Sequence, residues 1–341
     1  MKCAKLVGAK KIEIGEIEEP DPITGKVMVA VTKTGICGSD LHYYEIGQPE
    51  GLVMGHEFCG HVIYNGGFRD DLNVGDRVTA LPISPCGKCE ACLTGNPQFC
   101  IHTWDKAVGL SIDNPGGLTS KINVRDDLVI KVPDNVSDEE AAMVEPTAVG
   151  LHAIHLADIK VGEKVLVVGS GIIGLTSAMF AKMEGASKVI VSEVNEARAK
   201  KAVELGVADG YILASEKFAE DVNNLSPGGF DVVIECCGNA PAVSSALTAV
   251  KPGGKIILVG VSMAPIAIPT ILAVTHEVTM IGAIAYTKAE FKTCLELMEN
   301  KQIDVMKFMS KIVGLDKTDE SFAELISGKS DSIKIIVDPS K

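Results

Sequence analysis

The sequence predicts an α/β protein of two domains. One is β-rich and built from both ends of the chain; the other, between them, is a doubly wound parallel sheet of six strands. Three observations lead there. The 341 residues exceed what one hydrophobic core ordinarily organises. Residues 1–148 are rich in Gly, Pro and short β-type runs. From 149 to 284, apolar strand-like runs alternate with helix-like segments.

In the N-terminal part, residues 27–31 and 77–81 read as strands, punctuated by turns such as Pro20-Asp21-Pro22, Gly66-Gly67 and Asn114-Pro115-Gly116-Gly117. In the middle part, 164–168, 188–192, 231–235 and 255–259 suit strands buried on both faces. Residues 211–213 and 278–281 bring the sheet to six. Helical segments between them end at Gly185 and Gly206. After 284 come helices at 288–300 and 319–326 and a strand at 333–337. This tail resembles neither half of a nucleotide fold and is assigned to the first domain. The expected division is therefore 1–148 with 285–341, and 149–284.

Hydrophobic residues at 46% and charged residues at 23% fit a soluble globular protein. A net charge of −13 opposes nucleic-acid phosphates, and no cluster of Lys and Arg reverses it locally. The N-terminal residues lack a secretory signal. The longest uncharged run, 256–276, is interrupted by Gly260, Pro265, Pro269 and His276, so no membrane span is expected. A cytoplasmic location follows as the expectation. Ten cysteines in such a chain read as metal ligands and buried thiols, with Cys3, Cys59, Cys236, Cys237 and Cys294 as small buried hydrophobes.

Gly169-x-Gly171-x-x-Gly174, with Ile172 and Ile173 inside it, follows one predicted strand and opens a predicted helix. Gly169 suits a tight turn, Gly171 close approach of a pyrophosphate, and Gly174 tight helix–strand packing. The helix N-terminus supplies free N–H groups and positive potential. Glu193 ends the next strand, where a carboxylate accepts from ribose hydroxyls and repels a 2′-phosphate, favouring NAD over NADP. Arg198 lies close enough in sequence to tolerate a phosphate, and Glu193 could also be an ordinary surface residue before a helix capped by Asn195.

Cys86, Cys89, Cys92 and Cys100 are spaced C-x2-C-x2-C-x7-C. Four thiolates close a tetrahedral zinc shell with no room for substrate, so this site holds its loop. Cys37 and His56 are first choices for a second, open metal site, which needs three protein ligands and one free position. The third ligand must be a carboxylate, either Glu57 or Glu145; taken singly, lone glutamates and histidines are usually solvated or hydrogen-bonded.

Taken together, Gly35-Ile36-Cys37-Gly38-Ser39-Asp40-x-His42, Gly55-His56-Glu57, the four-cysteine loop, Glu145-Pro146-x-x-Val149-Gly150 and the glycine fingerprint with Glu193 resemble the zinc-dependent medium-chain alcohol dehydrogenases, along essentially the whole chain. The resemblance implies a GroES-like catalytic domain and a Rossmann domain, with the active site in the cleft between them. It implies two zinc ions per chain and NAD. It places Cys37, His56 and Glu145 around the catalytic zinc, with Glu145 binding directly or through water and Glu57 exchanging in and out. Asp40 would orient His56, and Ser39 with His42 would relay the hydroxyl proton to water. The implied reaction takes hydride from an alcohol to the nicotinamide, the metal lowering the pKa of the hydroxyl.

Glu145-Pro146 resembles the polyol and butanediol branch. The arginine that binds substrate in sorbitol dehydrogenases corresponds to Ala285 here, and Gly282-Ala283-Ile284-Ala285-Tyr286 is more like butanediol dehydrogenases. The stretch between His42 and Gly55 is shorter than in those. The expected substrate is a vicinal diol or polyol such as 2,3-butanediol, oxidised reversibly to the ketone. Sorbitol, another sugar alcohol or its phosphate is the alternative, and L-threonine stands behind these. A zinc-ribbon module for nucleic acid and an inactive zinc- and nucleotide-binding relative are the non-enzyme readings. The family makes a homotetramer or homodimer the expected assembly.

Overall fold

The computed structural model describes all 341 residues. The chain divides into two compact units, Met1–Glu145 with Thr287–Lys341, and Pro146–Tyr286. The sequence reading put the junctions at 148/149 and 284/285. The first junction falls inside one continuous helix, Val144–Ala157, so no break in local pattern marks it.

The first unit opens with an antiparallel hairpin, β1 (Lys2–Gly8) and β2 (Lys11–Glu16). There follow β3 (Lys26–Gly35), α1 (Gly38–Ile46), β4 (Glu57–Asn65) and β5 (Arg77–Ala80). A long loop carries the short helix α2 (Glu90–Leu93) before β6 (Lys121–Arg125), β7 (Val129–Lys131) and α3 (Asp138–Ala142). Ser137 caps α3 by accepting from the N–H of Glu140, whose own carboxylate accepts from the Ser137 N–H. The helix α4 (Val144–Ala157) follows.

The second unit alternates strand and helix: β8 (Lys164–Val168), α5 (Ile172–Met183), β9 (Lys188–Glu193), α6 (Glu196–Glu204), β10 (Gly210–Leu213), α7 (Phe218–Leu225), β11 (Phe230–Glu235), α8 (Ala240–Ala249), β12 (Val250–Leu258), α9 (Thr270–Thr275) and β13 (Thr279–Gly282). Six parallel strands run in the order β10-β9-β8-β11-β12-β13. Val165, Leu166 and Val167 of β8 are fully buried, as strands covered on both faces must be. Val168, Ile190, Val233, Val243, Leu247 and Ile256 belong to the core of this unit. One strand differs from expectation. β12 begins at Val250, and its register on β11 slips between Phe230 and Val232, because Pro252-Gly253-Gly254 is absorbed as a bulge and not spent as a turn.

The tail contributes α10 (Lys288–Glu299), β14 (Met309–Gly314), α11 (Thr318–Ile326) and β15 (Lys334–Asp338) to the first unit. β15 pairs with β3 there, completing the order β14-β15-β3-β4-β5-β7, with β6 also on β3. The rings of Tyr44 and Phe322 pack tilted at 53°, centroids 5.2 Å apart, in one core of this unit, and Asp319 accepts from the N–H of Ile12 and the hydroxyl of Tyr44.

All ten cysteines are free thiols. Cys3, Cys59 and Cys294 are buried, as expected; Cys236 is intermediate and Cys237 exposed. Cys237 lies past the end of β11, in a loop that the sheet no longer covers. No helix is long and apolar enough to cross a membrane.

Candidate active site

Strand pairing brings the open site together. Gly35, at the end of β3, is the register partner of Glu57, which begins β4. Cys37, just beyond one strand end, therefore meets His56, just before the other. Ligand-type atoms of Cys37, His56 and Glu57 lie within 4.8 Å of one another. His56 is 4% exposed and Glu57 is fully buried, so water contributes little to solvating this group.

The start of α1 fixes Asp40. Its Oδ2 accepts from the N–H of Cys37 at 3.1 Å, an acidic cap suited to a helix N-terminus. Its Oδ1 lies 3.2 Å from Nδ1 of His56, too obliquely for a well-formed hydrogen bond. Asp40 thus faces Nδ1, and Ser39 Oγ stands 3.5 Å from Nε2 on the other side of the ring. Burial opposes charge on His56, but Asp40 and Cys37 outweigh it and hold its proton affinity well above that of an ordinary imidazole. Burial pushes the Cys37 thiol up, with His56 acting against that. His42 follows on α1, half-buried.

Glu57 Oε1 is a buried polar atom without a hydrogen-bond partner, whereas Asp40 Oδ1 and His56 Nδ1 at least face each other. An orphan carboxylate oxygen beside a thiol and an imidazole is rare in native proteins and suits an ion as the absent partner. A thiol, an imidazole and a carboxylate make a donor set suited to zinc. Glu145, in the first turn of α4 and 9% exposed, acts on Cys37 through its charge and raises the thiol pKa. It is not among the three donors gathered within 4.8 Å.

The four-cysteine loop gathers its sulfurs equally well. Cys86, Cys89, Cys92 and Cys100 form the other donor cluster. Cys89 and Cys92 sulfurs are 3.5 Å apart, and those of Cys86 and Cys92 are 4.0 Å apart. Sulfurs around a tetrahedral zinc at about 2.3 Å stand about 3.8 Å from one another, so the cluster fits the ion. The N–H groups of Cys86 and His102 donate to Cys100 at 3.3 and 3.4 Å and lower its thiol to about 6. A thiol so held is a thiolate at neutral pH, the form that binds metal.

In the second unit, Gly169 leaves β8 with φ +98°, a conformation other residues rarely adopt. A Cβ on Gly174 would lie 1.9 Å from the carbonyl oxygen of Gly169, so the strand-to-helix turn closes only with glycine there. Above Gly171 there is open space. The N–H groups of Ile172, Ile173 and Gly174 begin α5 with no carbonyl before them in the helix, as a bound phosphate requires. Glu193 ends β9 at 9% exposure and is already engaged. Its Oε2 accepts from the N–H and hydroxyl of Ser170 at 3.0 and 2.9 Å, and its Oε1 from the N–H groups of Val194 and Asn195 at 2.7 and 3.0 Å. Arg198 lies in the first turn of α6.

Sequence reasoning passed over one residue at the candidate metal site, Lys334. Its ammonium donates to a carboxylate oxygen of Glu57, and both side chains are fully buried. The available signal was a single lysine inside the apolar run Ile333-Lys334-Ile335-Ile336-Val337, since a buried lysine implies a buried acid. A cavity of about 470 Å³ lined by Arg69, Lys131, Lys288 and Leu295 contains none of the metal donors.

Residues 24–134 match the alcohol dehydrogenase GroES-like domain, and residues 173–300 match the zinc-binding dehydrogenase domain. The sorbitol dehydrogenase of Bombyx mori is 33% identical over 346 residues, spanning 98% of this chain and 98% of that protein. The crystal structure of 2R,3R-butanediol dehydrogenase from Bacillus subtilis has a TM-score of 0.86 at 31% identity over 99% of each chain. A Sinorhizobium meliloti protein solved bound to NADP has a TM-score of 0.88 at 28% identity over 99% of each chain. The chain belongs to the zinc-type medium-chain alcohol dehydrogenase family. It is a zinc-containing alcohol or polyol dehydrogenase.

Proposed function

We propose that this dehydrogenase oxidises a secondary alcohol flanked by a second oxygen, a vicinal diol such as 2,3-butanediol, to the ketone with NAD as hydride acceptor, reversibly. The observation that carries the reading is the convergence of Cys37, His56 and Glu57 donors within 4.8 Å. These residues would hold the catalytic zinc, with Glu145 close enough to act on Cys37 through its field. When bound, the ion supplies a Lewis acid that lowers the pKa of a substrate hydroxyl.

The remaining work falls to the chain. Asp40 holds the tautomer of His56 by facing Nδ1, leaving Nε2 for the metal. The reaction releases one proton for each hydride transferred. Ser39 Oγ, beside Nε2, is the atom placed to take the hydroxyl proton, and half-buried His42 on the same helix can pass it to water. The N–H groups that open α5 cradle the pyrophosphate. The carboxylate of Glu193 receives the adenosine ribose by exchanging the Ser170 hydroxyl for a ribose hydroxyl, and its charge disfavours a 2′-phosphate.

The Bacillus relative named for 2R,3R-butanediol supports the diol reading, as does Ala285, which offers a small apolar side chain where sorbitol dehydrogenases present arginine. The 33% identity to a sorbitol dehydrogenase keeps sugar alcohols as the second reading. Two apolar surfaces stay exposed, Leu93, Phe99 and Ile101 near the four-cysteine cluster and Ile271 with Val274 on α9. They support assembly as a homodimer or homotetramer. The deciding experiment measures NAD reduction over butanediols, sorbitol, xylitol, threonine and sugar-alcohol phosphates, with zinc analysis alongside. A preference for a butanediol with two zinc ions per chain is expected; no turnover of any secondary alcohol by the zinc-loaded protein would overturn the reading.

A further inference from the structure

We propose that a cleft beside the four-cysteine loop binds a small phosphomonoester, with the phosphate seated among Lys26, Lys106 and Arg125. The cleft lies wholly within the first unit, and its role does not depend on which alcohol the enzyme oxidises.

Strand pairing builds it. Lys26 begins β3 and Arg125 ends β6, and the antiparallel register sets them directly opposite each other. Like charges in that arrangement destabilise a sheet. Both residues line a cleft of about 310 Å³, and Lys106 adds a third cation from the long loop. Clefts of about 300–1,000 Å³ are the size that holds small molecules. The buried residues Ile83, Val108, Val124 and Leu128 supply its apolar lining. Ser84, two residues before Cys86, adds a hydroxyl.

The protein itself leaves these charges unbalanced. Arg125 is paired: its guanidinium donates to the Asp127 carboxylate at 2.9 and 2.7 Å and to the Pro85 carbonyl. The ammonium groups of Lys26 and Lys106 and the hydroxyl of Ser84 make no hydrogen bond or ion pair within the chain. Burial lowers the proton affinity of Lys26, and the charges that act on it, Lys106 and Arg125, are both positive and lower it further. Asp113, exposed, is the one acid lining the cleft. In a chain of net charge −13, such a cluster is suited to an anion that the chain does not supply. A phosphomonoester carries about −1.5 to −2 at pH 7, which matches two unpaired ammonium groups, and concentrates that charge on one centre. Its carbon body meets the apolar lining. Bound there, it would join β3 and β6 to the segment that leads into the four-cysteine cluster.

Isothermal titration of the zinc-loaded protein tests this, with NAD present to fill the pyrophosphate site. The probes are phenyl phosphate, which has no alcohol to oxidise, and succinate, which splits the same charge between two centres. Phenyl phosphate should bind at one per chain with Kd below about 10 mM; absence of such binding would overturn the proposal. Lys26→Gln should weaken it by about tenfold or more, the worth of one charge-assisted hydrogen bond. Without ligand, the Tm of Lys26→Gln should be no lower than wild type, because a cross-strand repulsion has gone, and kcat/KM should be unchanged. Lys106→Gln, at an exposed position, should weaken binding to a similar degree and carries the test should Lys26→Gln not fold. Undiminished binding in both variants would place the phosphate elsewhere and overturn the proposal. Succinate binding as tightly as phenyl phosphate would overturn the assignment to a phosphate.

Discussion

Replacing Asp40 by asparagine tests the site with almost no change of shape. Asp40 is fully buried and serves two groups at once, the Cys37 N–H at 3.1 Å and the His56 Nδ1 at 3.2 Å. Both demand an acceptor, and a carboxylate offers two. An amide offers one acceptor and one donor. If the amide oxygen keeps the Cys37 N–H, its NH2 faces Nδ1 and drives the ring proton to Nε2, the atom that must be bare to bind metal. If it is turned the other way, two N–H groups oppose each other at the start of α1. Groups that orient a metal ligand are typically worth 10- to 100-fold in affinity or activity, which is about 1.4–2.8 kcal/mol. Asp40→Asn should therefore lose zinc from the open site to a chelator 10- to 100-fold more readily, while the four-cysteine zinc serves as internal control. The kcat/KM should fall in parallel. Wild-type zinc retention and turnover would refute the argument, and so would equal loss of both ions, which would indicate general unfolding.

Cys92→Ser should reduce zinc content from two ions toward one per chain and lower Tm, since one sulfur leaves a shell that closes the loop; metal analysis with calorimetry reads both. Glu193→Ala should reduce the preference for NAD over NADP, measured as the ratio of kcat/KM values. It should also cost about 1–3 kcal/mol of stability, because the N–H groups of Ser170, Val194 and Asn195 lose their acceptor. At Glu324, an ion pair with Lys311 and hydrogen bonds from the Ser332 and Ser330 hydroxyls hold the carboxyl at about 2, below its ordinary 4.5. Because the folded-state value is the lower one, this stabilisation is complete above pH 4.5 and fades as pH falls toward about 2. Glu324→Gln should cost about 1 kcal/mol at pH 7 and nothing below about pH 2. Urea titrations of both proteins across that range check the difference, and an unchanging gap would count against it.

The six-stranded sheet could be read from the chain because strands covered on both faces need continuous apolar runs, as at Val165-Leu166-Val167 and Val232-Val233-Ile234. The start of β12 could not, since Pro252-Gly253-Gly254 carries the composition of a turn and only pairing with β11 makes it part of a strand. Nor could the junction inside α4, where helical periodicity continues across the boundary. Residue type and spacing alone singled out the four cysteines, the glycine fingerprint, and Cys37 with His56. Those features are local, and the chemistry of thiols, imidazoles and glycine turns constrains which residues can serve. Tertiary structure decided what depends on register between distant strands. The pairing of Gly35 with Glu57 sets which carboxylate joins Cys37 and His56, and the pairing of Ile336 with Gly35 delivers Lys334 to it. A one-residue slip in either ladder would turn those side chains to the opposite face, and nothing in the local sequence around Lys334 records which acid it will meet.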